Sequence, residues 1–277
     1  MGIFDGILIC TDLDGTLYKN DKTISRENRE AIEYFKREGG SFSFITGRLP
    51  YYSMDAYRAA RPNVPFGCIN GGGVYDGEEK RYIWAMELPR EALELVRHID
   101  ENVPGVGIQL CCFEKTCFAK ENDTTVWFRK VTGLPEILCD YRDFSEPIGK
   151  IIFCTDIEEK LLTVERLLRA HPLASEFDFI RSEKKLFEIL PNGVDKGLAL
   201  TKLAEHLGID MARTVAIGDY DNDAAMLRRA GLGIAVANAS RAALDAADTV
   251  TVSNEEHALA RVIYDIRDGK IRLGGKS

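Results

Sequence analysis

Residues 6–16, GILICTDLDGT, join an uncharged apolar run to an acidic turn. Residues 6–11 are apolar or small, carry no charge, and end abruptly at Asp12-Leu13-Asp14-Gly15. A run this short and this continuous in apolar residues reads as a strand buried on both faces, the kind found in helix-covered parallel sheets.

The pattern repeats outward from there. Residues 25–38 predict a helix: Ser25 can cap it, Ala31, Ile32 and Phe35 share one face, and Gly39-Gly40 stop it. Strands are expected over 41–45 and 66–69, the second ending at Asn70-Gly71-Gly72-Gly73. The C-terminal part keeps the rhythm, with helices over 196–207, 222–230, 241–247 and 255–266 and strands over 214–217, 233–236 and 249–252. Such alternation predicts an α/β fold with a doubly wound, Rossmann-like parallel-sheet core. Sites in such sheets form beyond the carboxyl ends of the strands.

The middle of the chain reads differently. Strands over 106–113, 150–155 and 177–181 and helices over 91–101, 124–132 and 157–171 predict a smaller α/β domain inserted into the core. The expected division is a discontinuous core, residues 1–84 and 187–277, and an insert, residues 85–186.

Bulk properties exclude several classes. The chain has 277 residues, 45% of them hydrophobic and 29% charged, as in ordinary globular proteins. A formal net charge of -8 makes nucleic acid a poor partner, without opposing a small phosphorylated ligand held by a few local cations. Seven cysteines without a C-x-x-C pair or a neighbouring histidine argue against zinc and against a disulfide framework, and read as buried thiols. Residues 1–10 lack a basic region and contain Asp5, and no uncharged apolar run reaches membrane-spanning length. The expectation is a cytoplasmic protein with no membrane partner.

Asp12 and Asp14 lie two apart in extended chain, so both can address one site. Two carboxylates about 4 Å apart repel by roughly 4 kcal/mol at an effective dielectric of 20. A divalent cation or a shared proton must compensate, unless the pair is only a turn facing water. Gly218-Asp219-Tyr220-Asp221-Asn222-Asp223 brings further acids to another strand end. Oxygen ligands without Cys or His suit Mg²⁺, although helix capping accounts for one or two of these acids. Thr46-Gly47-Arg48 at a strand end can hold phosphate oxygens through a hydroxyl and backbone N–H groups, or be a plain capped turn. Lys196 opens a helix, as a phosphate ligand or as a solvated surface lysine. Taken together, these pieces describe phosphoryl transfer: Asp12 as nucleophile, Mg²⁺ beside it, Asp14 as acid and base, Lys196 and Thr46 on the phosphoryl oxygens.

The motifs Asp12-Leu-Asp-Gly-Thr-Leu, Ile45-Thr-Gly-Arg, Cys68-Ile-Asn-Gly-Gly, Glu188-Ile-Leu-Pro-Asn-Gly-Val-Asp-Lys-Gly and Gly218-Asp-Tyr-Asp-Asn-Asp, in this order, resemble the haloacid-dehalogenase-like superfamily, specifically its Cof-type phosphatases of subclass IIB. The resemblance implies a nucleophile at Asp12 and a general acid/base at Asp14. It implies Mg²⁺ on Asp12, the backbone carbonyl of Asp14 and Asp219, with Asn222 and Asp223 as supports. Thr46, Gly47, Lys196 and Asn222 are implied phosphate contacts, Asn238 a further phosphate-side contact, and residues 85–186 a cap that selects the substrate. Where many relatives carry an acidic residue and glycine, this chain has His257-Ala258.

The activity expected is Mg²⁺-dependent hydrolysis of a small phosphorylated metabolite, such as a sugar phosphate, through an aspartyl phosphate. Two rivals use the same residues: a phosphotransferase of the phosphomannomutase type, and a non-catalytic phospho-ligand-binding protein. The four histidines are far apart and give no catalyst, and Trp84 and Trp127 read as core packing, with the lining of a substrate pocket as the alternative for Trp127.

Overall fold

The computed structural model describes residues 2–273. The chain divides into two units, one formed by residues up to Gly47, Ser53–Trp84 and from Asp195 onward, the other by Arg48–Tyr52 and Ala85–Val194.

The first unit opens with β1 (Leu8–Thr11), buried along its whole length. Helix α1 (Arg26–Arg37) begins where the Ser25 side chain accepts the Asn28 N–H, and turns Ala31, Ile32 and Phe35 inward. Strand β2 (Ser41–Phe44) and helix α2 (Met54–Ala60) follow. Then come β3 (Phe66–Cys68), β4 (Gly73–Asp76) and β5 (Arg81–Ala85), a three-stranded sheet of which the last two strands have no clear sequence signal.

The second unit runs through α3 (Ala92–Asn102), β6 (Gly107–Cys112), β7 (Thr116–Lys120), α4 (Asp123–Thr132), β8 (Ile148–Cys154), α5 (Glu158–Arg169), β9 (Phe177–Glu183) and β10 (Leu186–Pro191). Its five strands form one sheet, ordered β7-β6-β8-β10-β9 and antiparallel at every junction. Leu95, Val96 and Ile99 of α3 and Leu161, Val164 and Leu168 of α5 pack in one apolar cluster with Ile108, Leu110, Ile151, Phe153, Phe187 and Ile189 of the strands. Side chains alternate along each strand, so Gln109, Lys150 and Glu188 lie on the opposite face. Trp127 departs from the core role expected of it: it is 46% exposed, with the Lys185 ammonium 5.3 Å from its ring.

The chain returns to the first unit as α6 (Lys196–Leu207), β11 (Thr214–Gly218), α7 (Ala224–Arg229), β12 (Leu232–Ala235), α8 (Arg241–Ala246), β13 (Thr249–Val250) and α9 (Ala258–Arg267). The main sheet has the order β13-β12-β11-β1-β2 and is parallel throughout. Apolar residues of α6, α7 and α8 pack on Leu8 and Cys10, while α1 and α9 pack together and α1 meets β2. Strand order reverses across β1, which lies between β2 and β11, so its carboxyl end is a topological switch point. The helix expected over 222–230 starts later, after a single 3₁₀ turn, Asp221–Asp223. His257 occupies a left-handed position, φ 62°, ahead of α9. All seven cysteines are free, and only Cys139 is partly exposed.

Candidate active site

Asp12 is the first residue beyond β1, and its N–H donates to the Ile217 carbonyl of β11 at 2.8 Å. That bond ties the end of β1 to the strand that delivers Asp219. The chain then turns through Gly15 at φ 82°, where a Cβ would overlap the Asp219 carboxylate. Glycine is required here by both backbone and space. Thr16 donates its hydroxyl to Asp219 Oδ1 at 2.7 Å, closing the two loops on each other.

Three carboxylates, Asp12, Asp219 and Asp223, offer oxygen atoms within 4.8 Å of one another. Lys196 is the first residue of α6, a helix capped by Asp195, which accepts the Leu198 N–H. Its ammonium is buried and donates to Asp12 Oδ1 and Asp223 Oδ1, both at 2.6 Å. The other oxygen of Asp223 accepts the N–H groups of Asp219 and Tyr220, at 2.9 and 3.0 Å. Asp223 thus joins α6 to the loop after β11.

Charge in this cluster is unbalanced. Burial pushes the Asp12 carboxyl well above the ordinary carboxylate range; Lys196 opposes the shift, and Asp223, Asp219 and Asp14 add to it. Burial also lifts Asp219 to about 6, with help from Asp223 and against the Thr16 hydrogen bond. For Lys196, burial disfavours the ammonium, but Asp12 and Asp223 outweigh it and raise the group, so it stays charged. One ammonium among three carboxylates leaves an excess of negative charge that a divalent cation would remove, and the all-oxygen donor set suits a hard ion.

The remaining predicted residues border this cluster. Ile45 donates its N–H to Thr11 O at 2.9 Å, so Thr46 and Gly47 leave β2 beside the end of β1. Thr46 is buried, and its carbonyl accepts the Asn70 N–H at 3.1 Å. Asn222 donates its side-chain amide to Asn70 Oδ1 at 3.1 Å. Asp14 stands apart from the three acids: its carboxylate is partly exposed and pairs with Lys22 at 2.9 Å. The Asn238 amide donates to the Gly15 carbonyl at 2.9 Å and its Oδ1 accepts the Asn254 N–H, so it buttresses the Asp12–Gly15 loop.

Sequence reasoning passed over three neighbours. Thr16 and Asn70 sat inside the quoted motifs without an assigned role, although an Asn-Gly pair after a buried strand signals a left-handed turn. Lys22 had no local signal, because its approach to Asp14 is a product of the loop between them.

The family model described as haloacid dehalogenase-like hydrolase matches residues 9–263. The 5-amino-6-(5-phospho-D-ribitylamino)uracil phosphatase of Bacillus subtilis is 26% identical over 93% of this chain and 96% of its own length. The HMP-PP phosphatase of Yersinia pseudotuberculosis is 29% identical over 84% of each chain. Among solved structures, a haloacid dehalogenase-like hydrolase from Bacteroides thetaiotaomicron is 28% identical and superposes with a TM-score of 0.82, covering 94% of this chain and 99% of that one.

Proposed function

Because the chain belongs to the haloacid dehalogenase-like hydrolase family, we propose that this phosphatase hydrolyses a small phosphorylated metabolite, a sugar phosphate or a similar small phosphoester, through an aspartyl phosphate on Asp12. One observation carries the reading: Asp12 lies at the switch point of the parallel sheet, 2.6 Å from the buried Lys196 ammonium and beside two further carboxylates. The relatives named above support the substrate class, since both are phosphatases of small molecules by name.

Mg²⁺ fits the donor set. Asp12, the Asp14 backbone carbonyl and Asp219 would hold it, with Asp223, already accepting three donors, and Asn222 as supports. The bound ion supplies positive charge against the phosphate dianion and the carboxylates that surround it.

The chain's own residues do the rest. Asp12 attacks phosphorus; the bond to the ester oxygen breaks as Asp14 donates a proton to that oxygen. Asp14, now a carboxylate, takes a proton from water, whose oxygen attacks the aspartyl phosphate, releasing inorganic phosphate and restoring Asp12. Lys196, Thr46, Gly47 and Asn222 bind the phosphoryl oxygens as charge spreads over them. Substrate selection is assigned to residues 85–186, whose apolar core also takes in Phe187 and Ile189 of β10 and which have no share in the carboxylate cluster. A reducing, cytoplasmic setting is supported by the seven free cysteines; no helix among the described residues is long and apolar enough to cross a membrane.

The test is phosphate release from a panel of phosphorylated metabolites, with and without Mg²⁺, by wild type and Asp12→Asn. Expected is metal-dependent turnover that falls by roughly 10⁴-fold or more in the variant, the scale of losing a covalent nucleophile. Transfer to a second sugar without phosphate release would instead indicate the phosphotransferase, and phosphate binding without either reaction the binding protein.

A further inference from the structure

One turn of the first unit holds three left-handed residues in a row. Ile69, Asn70 and Gly71 are consecutive residues at φ 56°, 52° and 103°. Glycine takes this region freely and asparagine tolerates it, but a β-branched isoleucine there is a genuine outlier. Such a conformation persists only where its surroundings over-determine it.

The surroundings are the phosphate side of the site. Gly71 packs so closely on the start of α6 that a Cβ would overlap the Asp195 carbonyl, one residue before Lys196. Asn70 is 1% exposed. Its N–H donates to Thr46 O and its Oδ1 accepts from Asn222 Nδ2, both at 3.1 Å. That same Oδ1 lies against Gly47, where a Cβ would approach it to 2.8 Å. One side chain therefore fills the space between Gly47 and Asn222.

We propose that Asn70 is a positioning residue for phosphoryl binding: wedged between Gly47 and Asn222, it holds the Thr46-Gly47 turn and the Asn222 amide in one arc around the phosphoryl oxygens. The proposal rests on the phosphatase reading above and adds a residue to it. A primary amide has two N–H donors; engaging one on Asn70 fixes the direction of the other. The competing role is conformational only, with asparagine present because it tolerates the left-handed turn.

Asn70→Gly separates the two, because glycine keeps the turn and removes the side chain. Inorganic phosphate binding in the presence of Mg²⁺ is measured by calorimetry, KM and kcat on the best panel substrate, and folding by thermal melting. Expected for Asn70→Gly is phosphate affinity about tenfold weaker and KM about tenfold higher, the scale of one buried hydrogen bond, with kcat far less affected. In an Asn222→Ala background the same substitution should add less than about twofold, since the two side chains act as a unit. Wild-type phosphate affinity in Asn70→Gly, or an equal loss in both backgrounds, overturns the proposal. Should Asn70→Gly fail to fold, Asn222→Ala alone, which leaves the turn untouched, must show the tenfold loss, and unchanged affinity there is equally decisive against it. A wild type that binds phosphate yet turns over no ester would sink the phosphatase reading, while the affinities would still decide the role of Asn70.

Discussion

Each of the two units buries a lysine, and the two differ in how its charge is answered. In the second unit Lys150 and Glu188 are both 2% exposed and pair at 2.9 Å, and the second Glu188 oxygen accepts the Ser182 hydroxyl at 2.5 Å. Glu188 answers the lysine directly: burial disfavours the Lys150 ammonium, but Glu188 outweighs it and holds the group protonated. In the first unit Lys196 meets Asp12 and Asp223 with Asp219 close by, and two of these acids are pushed toward protonation. A buried cation answered by a neighbouring carboxylate can serve the fold alone. An unbalanced one marks a candidate site, because its surplus charge favours a counter-charge from outside the chain.

Between the two lysines, the larger effect is expected at Lys196. Lys196→Met should lower turnover by about 10²–10³-fold, the cost of removing a donor aimed at developing oxyanion charge. Pairing it with Asp223→Leu should recover nothing. Lys150→Met should instead destabilise the fold by about 3–5 kcal/mol, because it strands a buried carboxylate. Combining it with Glu188→Leu should restore most of that, since a balanced pair is replaceable by apolar side chains. Urea midpoints read the second unit, and turnover per folded molecule reads the first. If the Lys150 double variant stays as unstable as the single one, the balanced pair is more than a self-contained unit.

The same contrast explains what was legible in the sequence. Asp12, Thr46 and Asp219 were readable because each follows a short apolar strand, and a parallel sheet brings such strand ends to one edge. The second unit was readable as a separate α/β body, but the antiparallel sheet was not. Its strand β7 follows β6 after only three residues, and β10 carries its buried Glu188 inside an otherwise apolar run, so neither stood out as a strand. The strand expected over 150–155 begins at Lys150 without a role for that lysine, and the β8–β10 pairing is what sets Glu188 beside it. Asp223 was expected as a support, but its grip on Lys196 and two backbone N–H groups depends on the 3₁₀ turn after β11, which helical periodicity does not foretell.

A smaller effect is expected from the raised carboxyl of Asp219. Asp219 is raised to about 6, while an unfolded aspartate titrates near 4. Between those values the native state keeps a proton that the unfolded chain has released, so stability falls as pH rises through the window and levels off above it. Asp219→Asn cannot titrate and can still accept the Thr16 hydroxyl. Without metal, this variant should melt a few °C above wild type at pH 7.5, with the difference closing toward pH 4. Mg²⁺ should raise the melting temperature of wild type at pH 7.5 and erase the variant's advantage there. A variant that is no more stable than wild type at pH 7.5 without metal would mean that Asp219 carries no unmet charge.

A third lysine carries the comparison to the solvent-exposed limit. Lys22 and Asp14 pair at 2.9 Å with side chains 66% and 39% exposed, so water and salt share in every charge they present. Removing such a pair costs at most about 1 kcal/mol. Lys22 also sits at φ 63°, in a turn closed by its N–H on the Lys19 carbonyl and by the Lys19 N–H on Thr23 O, each at 2.9 Å. A side chain in that region costs roughly 1–2 kcal/mol, which glycine avoids. Backbone relief and charge loss therefore act in opposite directions: Lys22→Ala should be slightly less stable than wild type, and Lys22→Gly more stable than Lys22→Ala by about 1 kcal/mol. Only the alanine step away from wild type should shrink in high salt, because it alone contains the ion pair. A salt-insensitive loss several times larger would place Lys22 with the two buried lysines, and exposure would then be a poor guide to what a charge contributes in this protein.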